Sequence, residues 1–166
     1  MGRVIALVAL ALVVMACLPS ARSSATPSAT PTPVASPAGS TLTLAEAASA
    51  YSAVADPYNA TLARAQEQYG TRTSLEDHRR YWALLAKADK AFIAGLKKIA
   101  FPPEVAADAA VLIKADEAFQ QRAVLVSQAR NLAEVISLSA VANAAAAIAA
   151  EKSAILREGL GLEPLA

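Results

Sequence analysis

A chain of 166 residues with 55% apolar and 17% charged residues and a formal net charge of +1 has ample material for a core. It lacks the basic excess that a nucleic-acid or anionic-surface binder carries. One cysteine and one histidine exclude a disulfide framework, Cys/His zinc sites, C-x-x-C-H haem attachment and a di-iron centre built on repeated E-x-x-H.

The first element is a leader. Arg3 supplies a positive start, and Val4 to Ala16 form an uncharged run of 13 residues. That is short of the roughly 20 residues of a membrane-spanning helix and suits the h-region of a signal peptide. The run closes on Val14-Met15-Ala16-Cys17. These four residues resemble the bacterial lipobox, with a branched aliphatic residue three before the cysteine and a small one directly before it. Met15 departs from the commoner Ala or Ser. The resemblance covers residues 1–17 and implies cleavage after Ala16, diacylglyceryl attachment at Cys17 and a lipid-anchored place on the extracytoplasmic face of a bacterial membrane. A lone cysteine in an oxidising compartment has no intramolecular partner, and lipidation accounts for it. The alternatives are a secreted protein cut further along and an uncleaved N-terminal anchor.

Residues 17–40 read as a tether. They are nearly all Ser, Thr, Ala and Pro, with prolines at 19, 27, 31, 33 and 37 and no apolar periodicity. Such a stretch buries too little to offset its ordering entropy, so a disordered linker with local polyproline II character is expected.

Residues 41–166 make one domain with 13 Lys+Arg against 14 Asp+Glu. Its apolar content is largely alanine, a helix former, and period-two clusters of β-branched residues are missing. The pattern predicts an all-α domain of four helices. The first starts at Thr43, with Glu46 completing a T-x-x-E capping box, and runs to about Gln68. The second runs from Ser74 to about Ala100, and the third from Pro103 to about Arg130. The fourth starts between Asn131 and Ser139 and ends at Gly159, read as the glycine that follows a helix. Pro57 falls inside the first helix with the heptad passing through it in phase. One kinked helix is expected there, the rival being a new helix capped by Asp56.

Heptad lines define the inward faces: Leu44, Tyr51, Tyr58, Ala65; then His78, Leu85, Phe92, Ile99 beside Leu75, Trp82, Asp89, Leu96; then Val105, Leu112, Phe119, Val126; and last Val141, Ile148, Ile155, Leu162. Seven-residue repeats on segments joined by short loops predict an antiparallel up-down-up-down four-helix bundle. A three-helix form with one very long final helix is the alternative. The bulk-poor stretch Ala142–Ala150 is expected to admit a neighbouring backbone closely. A membrane span over Val135–Ala150 is disfavoured by its length and by Glu134, Asn143 and Glu151-Lys152.

No nucleophile elbow, Walker loop or dinucleotide fingerprint occurs, and neither a catalytic residue nor a cofactor or metal site is predicted. The residues of interest are polar groups on predicted core faces: Tyr51, Tyr58, His78, Asp89, Asp116 and Arg130. Buried charges are costly unless paired. Either tyrosine hydroxyls cap the aspartates, with other charges reaching solvent at the bundle ends, or the group lines an interhelical pocket. The expected function is therefore a membrane-anchored, non-enzymatic binding or interaction module that contacts an envelope protein or polymer. The alternative is a small-ligand carrier or sensor with a pocket near His78, Asp89 and Asp116. Leu156-Arg157 through Leu162 also resembles the tails of uncharacterised small secreted bacterial proteins, a likeness that implies no activity.

Overall fold

The computed structural model describes residues 41–163, and the leader, Cys17 and the tether lie outside the described residues. Four helices follow in order: α1 (Leu44–Tyr69), α2 (Leu75–Leu96), α3 (Pro103–Ser127) and α4 (Leu132–Gly159). Together they form an all-α four-helix bundle.

Local chemistry sets each boundary. Thr43 Oγ1 accepts from the Glu46 backbone N–H, and the Glu46 carboxylate accepts from the Thr43 N–H at 2.9 Å, closing the capping box. Ser74 and Asn131 cap α2 and α4 by accepting from the Asp77 and Glu134 N–H groups. Pro103 opens α3, where a missing N–H costs no helical bond. α1 runs unbroken through the exposed Pro57, so no new helix starts at Asp56. α2 stops at Leu96 rather than Ala100, because Lys98 and Ile99 donate to carbonyls three residues back and tighten the chain before Pro102. At the other end, Gly161 and not Gly159 is the residue past the helix. It adopts φ +71°, its N–H meets the Glu158 carbonyl and the Leu162 N–H meets that of Arg157, a Schellman ending.

Two core clusters establish the up-down order. One joins Ala47 and Tyr51 near the start of α1, Leu96 near the end of α2, Val105 near the start of α3 and Leu156 near the end of α4. The other joins Ala65, Trp82, Phe119 and Val135 from the opposite halves of the same helices. Only antiparallel neighbours bring those halves together. The most extensive backbone approach is between α3 and α4, then α2 with α3 and α1 with α2.

α4 departs from its expected phase. Its inward line is Val135, Ala142, Ala149 and Leu156, while Val141, Ile148 and Ile155 are 51%, 52% and 40% exposed. Rotating α4 by one residue puts alanine against α3 and leaves the bundle centre to the aromatic rings of the other helices. Leu44 is likewise exposed. By length and hydropathy α4 is apolar enough to cross a membrane, so length does not exclude a span as the sequence suggested. Its inward line nevertheless contributes to the shared cores.

Candidate functional site

Between the two clusters lies a polar layer. Asp89 sits on α2 between Ala86 and Phe92, and Asp116 sits on α3 between Leu112 and Phe119. Tyr58 enters from α1, and α4 contributes only Ala149 at this level. Asp89 continues the heptad line of Leu75, Trp82 and Leu96, and Asp116 that of Ala109 and Ala123, so helical periodicity alone carries each inward. Asp89 is fully buried and Asp116 is 3% exposed.

Among the described residues, neither oxygen of Asp89 has a hydrogen-bond partner, nor does Oδ2 of Asp116. Of the tyrosines that could cap them, Tyr58 brings its hydroxyl near enough to Asp89 to hold that carboxyl somewhat lower, without the geometry of a full hydrogen bond. The Tyr51 hydroxyl pairs instead with Ser153 Oγ at 2.8 Å, bridging α1 to α4. Tyr58 lies near enough to Asp89 to feel its charge, yet its ring is held by stacking on Phe92 at 4.7 Å between centroids. Packing therefore positions Tyr58 more firmly than polarity does.

Burial without partners favours the neutral acids. Burial, reinforced by the neighbouring Asp116 charge, pushes the Asp89 carboxyl up to about 8. Burial pushes Asp116 up to about 7. The Tyr58 and Tyr51 hydroxyls are raised as well, chiefly by burial. Both carboxyls are thus biased toward the neutral acid, as neighbouring buried carboxyls are.

The other two predicted residues lie elsewhere. His78 is half-buried in the first turn of α2, eleven residues before Asp89, or about 16 Å along the helix. Its pKa is lowered by burial and by the nearby Arg72. Arg130 is exposed in the α3–α4 connection, since α3 stops at Ser127 and Ala129 takes the inward place. Its N–H donates to the Glu134 carboxylate at 2.8 Å and its guanidinium stands 3.5 Å from the same group.

Two groups escaped the sequence reading. Ser153, the partner of Tyr51, stands four residues after Ala149 and three before Leu156, and that spacing was the signal available for it. Arg72 stacks its guanidinium 3.7 Å over the Tyr81 ring, donates to the Tyr69 carbonyl at 2.6 Å and buries an unpartnered Nε. Nothing in a turn sequence marks such an arginine.

The outer α1–α2 face carries an open groove of about 310 Å³, lined by Val54, Pro57, Tyr58, Phe92 and Gly95 among others. A Cβ at Gly95 would run into the Val54 side chain, so glycine permits the close helix approach beneath it. The aspartates do not line this groove. Among the described residues, no three or more His, Cys, Asp or Glu side chains converge to hold a metal ion. No family model, curated protein or solved structure matches the chain.

Proposed function

We propose that this chain is an extracytoplasmic lipoprotein, held to the membrane through Cys17, whose bundle is a non-enzymatic binding and interaction module. The observation that carries the interaction reading is the placement of Val141, Ile148 and Ile155 on the outside of α4, each at least 40% exposed. Large apolar side chains left in a line on a surface mark contact sites more often than chance scatter does. The anchor reading rests on the Val14-Met15-Ala16-Cys17 sequence and the linker behind it. Several acyl chains hold a protein far more firmly than one, at about 0.8 kcal/mol for each buried CH₂. Labelling cells with a palmitate analogue is expected to mark the wild-type chain and to leave Cys17→Ala unmarked. An unmodified mature N-terminus beyond residue 17 overturns the anchor.

One observation favours a second reading, a small-ligand carrier: both oxygens of Asp89 and Oδ2 of Asp116 lie in a buried layer without a partner among the described residues. A small molecule that stabilises the wild-type chain but not a folded Asp89→Asn variant would support it. Grooves that open elsewhere on the bundle make it the weaker reading.

A further inference from the structure

Five of the exposed large apolar residues of α3 and α4 lie on one face, Leu132 and Ile136 at the start of α4 being the exceptions. On α3, Val111, Ala118 and Leu125 repeat every seven residues, and the two large ones are 47% and 43% exposed. The α2 side of α3 is fixed by the Lys97–Glu117 ion pair at 2.6 Å, and the Val111 line lies about 100° beyond Glu117 from it, away from α2. On α4, the α1 side is fixed by Ser153, and Val141, Ile148 and Ile155 lie well round from it, away from α1. Both lines therefore flank the outer edge of the α3–α4 seam. The level is set where Gly159 meets Val105, a Cβ there coming within 2.8 Å of Cγ1. Counting back along antiparallel helices puts Ala118 close to the level of Ile148, Val111 near Ile155 and Leu125 near Val141.

We propose that this face joins two copies of the chain side by side and parallel, α3 of each lying over α4 of its partner. A two-fold axis along the bundle then sets the partner's Ile148 on Ala118, large on small, with Val111 beside the partner's Ile155 and Leu125 beside the partner's Val141. The rim agrees in charge. Lys114 on the outer flank of α3 comes opposite the partner's Glu151 on the outer flank of α4, twice by symmetry. Lys114 has no ion pair among the described residues, and Glu151 has only its chain neighbour Lys152. The five large side chains and the alanines between them present roughly 500 Å² per copy, within the range of a monomer's largest apolar patch. Mating two such faces buries about 1,000 Å², the lower limit for a specific contact and one suited to a weak, concentration-dependent dimer.

The inference stands on the helical domain and does not need the anchor. A parallel pair also leaves both Thr41 residues at the same end, which two chains tethered to one membrane require.

Sedimentation equilibrium of the full chain in detergent is expected to show a monomer–dimer equilibrium with Kd on the order of 1–100 µM. Ile148→Glu should weaken it at least about tenfold with helicity unchanged, whereas Ile136→Glu, at a site 71% exposed off this face, should leave it intact. Lys114→Glu and Glu151→Lys should each weaken association and together restore it. The Cys17→Ala chain should associate as wild type does, so failure of the anchor and failure of the dimer are read separately. A monomer at all concentrations, or a dimer indifferent to Ile148→Glu, overturns the proposal. So does disulfide formation between paired Ile148→Cys chains in preference to a mixture of Ala118→Cys with Ile148→Cys, or binding of lipid vesicles by a monomer through this face.

Discussion

α2 and α4 are built in opposite ways. α2 carries seven charged residues in 22 positions yet buries Trp82, Leu85, Phe92, Ile93 and Leu96. α4 has no charge from Val135 to Ala150 yet buries only Val135, Ala142, Ala149 and Leu156, leaving its isoleucines largely outside. Composition does not decide which side chains a helix buries. The volume left at the bundle centre does, and three helices carrying Tyr51, Trp82, Phe92 and Phe119 leave the fourth room for little more than alanine.

The sharpest way to break that contrast is to truncate one large residue on each helix. Phe92→Ala is expected to cost about 3–5 kcal/mol in urea unfolding, since it empties a contact with both Tyr51 and Tyr58. Ile148→Ala, measured at dilute concentration, should cost less than about 1 kcal/mol. Comparable losses would mean that α4 is packed in the phase first expected. Next comes pH. Both buried carboxyls are raised from 3.8, to about 8 and about 7, so the folded state holds protons that the unfolded chain releases. Stability from this pair is therefore greatest near pH 4 and declines as pH climbs through 7 to 8. Asp89→Asn should flatten that decline and stabilise the chain at pH 8 by on the order of 1–3 kcal/mol, read from thermal melts across pH. Below about pH 4, loss of the Glu46 and Glu134 caps acts in the other direction, because backbone N–H donors hold those carboxyls low. The smallest effect is at the α1–α2 approach. Gly95→Ala should destabilise by about 1 kcal/mol, overpacking against Val54 outweighing the better helix propensity. A stabilised variant would show that α1 can shift outward at no cost.

The four helices, the capping box at Thr43 and the burial of Asp89 and Asp116 were legible because caps and heptads act within one helix. The start of α4 was also written, as Asn131 followed three places on by Glu134, although no glycine or proline drew attention to it. The phase of α4 was not legible. Both the isoleucine line and the alanine line repeat every seven residues, and choosing between them requires the bulk of three other helices. For the same reason Arg130 looked like a core residue: the heptad of α3 points to it, but the helix has already ended. Pairing Tyr51 with Ser153, 102 residues away, depends on tertiary distance alone.

Each helix packs chiefly on the one before it, and α1 reaches α4 through the long Tyr51 side chain. A fold of that kind closes short loops one after another, so its contact order is low and refolding is expected within milliseconds. Folding of that speed leaves the apolar fourth helix little time without neighbours.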